Sequence, residues 1–123
     1  MKRIFIGVII LIAFFSTTVI AATQYCIGYI DDWEVSRFGV LYIDGDWNGA
    51  VDAQGLCNLD GSWDGVTAEA CKAWMLAIQD AAKNHIKVKL KYKDAESCLS
   101  SDIGTFSNSK TPEYIKVYGT TDY

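Results

Sequence analysis

Residues 86–93, IKVKLKYK, alternate without a break: Ile86, Val88, Leu90 and Tyr92 fall on one side, and Lys87, Lys89, Lys91 and Lys93 on the other. Two-residue periodicity over this length is the pattern of a strand with one buried and one wet face. A helix is predicted immediately upstream. Thr67 suits its N-cap and Glu69 its first turn, where negative charge meets the positive end of the helix dipole. Cys71, Trp74, Met75, Ile78 and Ala82 recur at three- and four-residue spacing and form one apolar stripe. Asn84, a residue that tolerates the left-handed conformation, ends the helix beside basic groups.

Three strands are predicted before the helix, over 25–30 (YCIGYI), 38–43 (FGVLYI) and, less regularly, 50–57 (AVDAQGLC). After residue 93 a strand is predicted over 113–119 and a shorter one around 103–106. The segments NLDGSWDG and DAESCLSSD read as loops from their Asp, Ser, Asn and Gly content. No internal repeat or domain linker is present. Three strands, a helix and two or three more strands match a small mostly-β Greek-key barrel of the OB type, order β-β-β-α-β-β with five or six strands. An α+β roll is the alternative.

The first 22 residues read as a secretory leader. Lys2 and Arg3 precede an apolar run from Ile4 to Ile20, and small residues follow at Ala21 and Ala22. A retained membrane anchor is the rival reading, because the run is near the lower length for a bilayer span. Cleavage leaves one domain, 23–123, with no membrane insertion expected. Lys2 and Arg3 account for two of the 11 basic residues, so nine then face 15 acidic ones. Such an acidic domain is not expected to bind nucleic acid, which requires a net basic footprint. Cys26, Cys57, Cys71 and Cys98 all lie beyond the leader. An even count in an exported chain reads as two disulfides, in any of three pairings. Zinc is disfavoured by the lack of a C-x-x-C motif and by a single histidine, His85.

The stretch DGDWNGAVDAQG, 44–55, places Asp44, Asp46 and Asn48 at the first, third and fifth positions of an EF-hand loop, with Gly49 sixth and Asp52 ninth. Gly55 stands where the bidentate Glu belongs, and the flanks look like strands rather than helices. Asn-Gly between such flanks is a hairpin signal. The stretch therefore reads as a strand connection, and no metal or cofactor is expected.

Candidate chemistry is sparse. A Ser–His–Asp or Cys–His site would have to use His85, which lies in a helix-to-strand turn. Asp31 with Asp32, or Asp60 with Asp64, lack any spacing that sets a glycosidase separation. An enzyme is therefore not expected. The lysine row 87–93 reads first as a solvated strand face guarded against aggregation, and second as an anion-facing surface. Trp74 belongs to the helix stripe. Trp33, Trp47 and Trp63 lie in polar surroundings and offer flat apolar platforms with one donor each, suited to sugar rings. The competing reading folds them back as caps on the barrel.

CIGYI (26–30), LCNLDGSW (56–63), GVTAEACKAWMLAIQDA (65–81), VKLKY (88–92), Cys98 and IGTF (103–106) together give the chain a family look. It resembles small secreted bacterial proteins with OB-type folds, and through them the receptor-binding B subunits of pentameric toxins of the subtilase-cytotoxin and pertussis-like kinds. The resemblance implies cell-surface glycan binding and a homo-pentamer. It also implies that Cys26 pairs with Cys98, because the first OB strand runs beside the strand after the helix, and that Cys57 pairs with Cys71. A second functional class is a periplasmic interaction protein of the immunity or inhibitor kind, whose acidic surface meets a basic protein partner.

Overall fold

The computed structural model describes residues 12–16, 22–47 and 53–119. Most of the expected leader, together with Asn48, Gly49 and residues 50–52 of the expected third strand, lies outside the described residues. The chain is mostly β. Its elements are β1 (Gln24–Gly28), β2 (Ile30–Val35), β3 (Val40–Gly45), β4 (Gln54–Asn58), α1 (Ala68–Lys83), β5 (Val88–Tyr92), α2 (Ser100–Ile103) and β6 (Tyr114–Val117). Two three-stranded antiparallel sheets result, with orders β1-β5-β6 and β2-β3-β4. No ladder closes them into a barrel among the described residues.

The lysine-rich segment forms β5 as its alternation requires: Val88, Leu90 and Tyr92 are fully buried, and the lysines face outward. It is the central strand of its sheet. Thr67 caps α1, its Oγ1 accepting from the Ala70 amide at 3.1 Å. At the other end Asn84 is the C-cap with φ −98°, and His85, not Asn84, takes the left-handed conformation at φ 51°. The Asn84 amide nitrogen instead donates to the Asp80 carbonyl and carboxylate. Asn84 is thus held as an extension of the last turn, and the chain reverses one residue later.

Two expected elements are corrected. The strand predicted over 25–30 is two strands: β1 ends at Gly28 and β2 begins at Ile30 in the other sheet. Tyr29 between them is clamped by Asp46, whose carboxylate and amide bond the Tyr29 amide and carbonyl at 3.0 Å each. β2 was invisible to periodicity because five of its six residues are exposed. The register shift between Ile30 and Asp32 also breaks the alternation of Ile30, Trp33 and Val35, so no unbroken two-residue period reveals the strand. The strand expected near 103–106 is instead the short helix α2. It ends at Gly104, where φ is 89°. Phe106 follows, and forms only an isolated parallel bridge to Gln54.

The core lies between the sheets and α1. Cys26, Leu41, Ile43, Leu56, Ile78, Leu90 and Ile103 are at most 1% exposed. The Gln54 amide donates to the Tyr92 hydroxyl inside it, joining β4 to β5. Burial pushes the Tyr92 phenol well above its ordinary pKa, so it stays neutral. Disulfides tie Cys26 to Cys98 and Cys57 to Cys71, each with Cα atoms 5.6 Å apart. These are the pairs the resemblance implies. Two disulfides fit an oxidising environment. No helix among the described residues is long and apolar enough to cross a membrane.

Candidate functional site

β2 sits at the edge of its sheet, and its register decides which way each side chain faces. Trp33 and Val35 lie opposite Ile43 and Leu41, which are buried, so they share the inner side. Glu34 lies opposite Tyr42 and Asp32 opposite Asp44, on the outer side. The sheet carries two irregularities, between Ile30 and Asp32 in the β2–β3 pair and between Leu41 and Tyr42 in the β3–β4 pair. Such shifts bend a sheet and open space that a regular ladder closes.

Three depressions follow this sheet. The first, about 510 Å³, lies between β2 and the end of α1, lined by Asp31, Asp32, Trp33, Gln79, Ala82 and Lys83. The second, about 270 Å³, shares Asp32 and Trp33 and adds Glu34, Tyr42 and Asp44. The third, about 220 Å³, shares Tyr42 and adds Val40, Asn58, Ser62, Trp63 and Ser107. Tyr42 and Trp63 thus share the outer side of β3 and β4, and the second depression, at the β2 edge, links them to Trp33 on the inner side. Phe106, 49% exposed, meets Tyr42 edge-on at 5.8 Å.

Each predicted tryptophan has its own placement. Trp33 is in β2 rather than in a loop, and is 37% exposed. Trp63 opens a tight turn closed by reciprocal main-chain bonds with Val66, with Asp64 and Gly65 both at positive φ. This is the hairpin geometry with the right-handed twist of its flanks. The turn lays the indole over Gly55. A Cβ at Gly55 would stand 2.6 Å from the ring and 2.6 Å from the Phe106 carbonyl oxygen. Trp47 packs against Gly45, Gly28 and the core, so its ring is a cap on the sheet junction rather than an open platform. The structure joins Trp33 and Trp63 through Tyr42, and leaves Trp47 apart.

Other candidates resolve into local roles. The Asp46 carboxylate is committed to the Tyr29 amide, and no cluster of three metal-binding side chains occurs among the described residues. The rest of the calcium-like stretch, Asn48, Gly49 and Asp52, lies outside them. His85 stacks on Tyr29, ring centroids 4.0 Å apart and nearly parallel. The Asp64 carboxylate accepts from the Thr111 hydroxyl at 3.1 Å, and the Asn58 side-chain oxygen accepts from the Asp60 amide at 2.8 Å.

Sequence reasoning missed Tyr42 and Phe106. Tyr42 was accessible to it, because it alternates with the apolar Leu41 and Ile43. Phe106 carried no local signal, since the parallel bridge to Gln54 alone brings it to Tyr42. No protein-family model matches this sequence, and neither a curated protein nor a solved structure matches it. The functional reading therefore rests on the geometry of these linked depressions.

Proposed function

We propose that this chain is an exported binding module, without catalytic activity, that takes a cell-surface glycan along the Trp33–Tyr42–Trp63 path. The observation that carries the reading is the sharing of Trp33 and Tyr42 between successive depressions. Aromatic faces stack on the apolar faces of pyranose rings. Asp32, Glu34, Asn58 and Ser62 supply acceptors and donors for hydroxyl groups between them. The two disulfides support a secreted or periplasmic location.

An OB-type barrel is the proposed architecture. The strand broken only at Tyr29, the β1–β5 pairing after the helix and the parallel Gln54–Phe106 bridge support it. A homo-pentamer is the proposed assembly. β2 and β6 are each an edge strand of their sheet; pairing the edge of one copy with the other edge of the next is a head-to-tail contact, which closes into a ring when the rotation allows.

The test is light scattering on the oxidised chain followed by a glycan array on the species that elutes. A pentamer that binds glycans and loses at least tenfold affinity on Tyr42→Ala supports the reading. A monomer with no glycan ligand overturns it. That outcome favours the second reading, a periplasmic protein-interaction or immunity-type module. The acidic depression of Asp31 and Asp32 against α1 would then receive a basic side chain of the partner.

A further inference from the structure

The outer face of the β1-β5-β6 sheet carries a charge pattern unlike the rest of the molecule. Its register sets two cross-strand rows, Ile27–Lys89–Lys116 and Tyr25–Lys91–Tyr114. Lys89 and Lys116 stand directly opposite each other, an arrangement of like charges that destabilises a sheet. Neither has a carboxylate within ion-pair distance among the described residues. The ion pairs there join Glu113 to Lys91 at 3.0 Å and to Lys93 at 3.4 Å. Lys89 instead lies over the rings of Tyr25 and Tyr114, at 5.3 and 6.0 Å from their centroids. Lys116 likewise lies over the Tyr118 ring at 4.6 Å, so among the described residues aromatic rings and no carboxylate meet these two charges, on a face where Tyr25 is 47% and Ile27 48% exposed.

We infer that this face is a second binding surface, for a linear polyanionic polysaccharide bearing sulfate, phosphate or uronate groups. Lysines two residues apart along β5 are roughly 7 Å apart, and the next strand is roughly 5 Å away. A chain of sugars with regularly spaced charges lying along β5 meets successive ammonium groups, held up over the Tyr25 and Tyr114 rings, and its apolar faces lie against the exposed Ile27. Its charge removes the Lys89–Lys116 repulsion. A lipid surface fits less well, because the most exposed apolar side chains among the described residues of 22–119, Phe38 at 68% and Leu76 at 63%, lie off this face. The surface is separate from the Trp33–Tyr42–Trp63 path and stands or falls without it.

Fluorescent heparin fragments serve as the probe, titrated against the oxidised chain at several salt concentrations. The expected result is binding that weakens steeply with salt. Lys89→Gln/Lys116→Gln should weaken it at least tenfold and lower the log–log salt slope by about two. Glu113→Gln releases Lys91 and Lys93 and should tighten it a few-fold. Lys72→Gln, an exposed lysine on α1, should change it little. An unchanged unfolding midpoint in each variant separates lost contacts from lost fold. Equal affinity of the double lysine variant and the parent overturns the inference. Tighter binding to phosphatidylglycerol vesicles than to heparin overturns its choice of occupant.

Discussion

The two sheets are built from the same number of strands and differ in regularity. The β1-β5-β6 sheet pairs residue for residue along both its ladders. Its outer face is flat and lysine-rich, and its charges are placed by simple alternation. The β2-β3-β4 sheet slips register twice, has an edge strand exposed on both sides, and accommodates an indole over Gly55. All three depressions described above lie along it. A regular ladder makes a surface that meets extended partners by charge. Concavity that can hold a discrete ligand arises where pairing is interrupted.

Each sheet is held by its own disulfide, and cutting them one at a time is the harshest test of the contrast. Cys26–Cys98 anchors β1 across a separation of 72 residues, and Cys57–Cys71 anchors β4 across 14. Chain entropy predicts losses of roughly 4–5 and 3 kcal/mol respectively when each pair is replaced by alanine. Urea unfolding of the two double variants should show that order. A reversed order would mean that native-state packing around β4 outweighs loop entropy.

Next in size is Gly55→Ala, which drives a methyl group into the Trp63 indole and the Phe106 carbonyl. Overpacking of this kind costs about 1–3 kcal/mol, whereas Lys89→Gln on the regular sheet should stay within about 0.5 kcal/mol. Equal effects in thermal melts would erase the distinction between a packed irregular sheet and a solvated regular one. Thr67→Ala removes the cap of the helix that both sheets lean on, and should cost about 1 kcal/mol. Hydrogen exchange at the first turn of α1 should then rise, leaving β5 protected.

The smallest effect is the pH response of the flat sheet. The hydrogen bond from Lys91, joined by one from Lys93, holds Glu113 below the usual carboxylate range. The same bond with Glu113, together with its charge, raises Lys91 above the usual lysine value. A depressed carboxylate stabilises the fold above its unfolded pKa, and that contribution fades as pH falls through the folded value. A raised lysine stabilises below its unfolded pKa, and that contribution fades as pH rises through the folded value. Both groups are in solvent, so salt should screen the effect. In an NMR titration Glu113→Gln should return Lys91 toward its ordinary value. An unmoved Lys91 would show that the pair does not persist in solution.

Local periodicity sufficed for β5, for α1 from its Thr67 cap, and for β6, because each carries its apolar pattern within a few adjacent residues. Trp33, Trp47 and Trp63 stood out as chemically suited to ligands, yet their local setting is the same polar background in all three. Their different fates depend on what lies across the sheet: buried Ile43 opposite Trp33, glycines beneath Trp47, and Gly55 beneath Trp63. For β2 the deciding interactions are main-chain bonds to β3, which leave no mark in the side chains of an exposed edge. Phe106 reaches Tyr42 only through pairing with a residue 52 positions earlier. From its residues alone the chain determined a regular lysine-faced strand beside a capped helix, since period and capping are properties of neighbours in sequence. Only the tertiary structure decided which aromatics share a surface, because that depends on register between segments far apart in the chain.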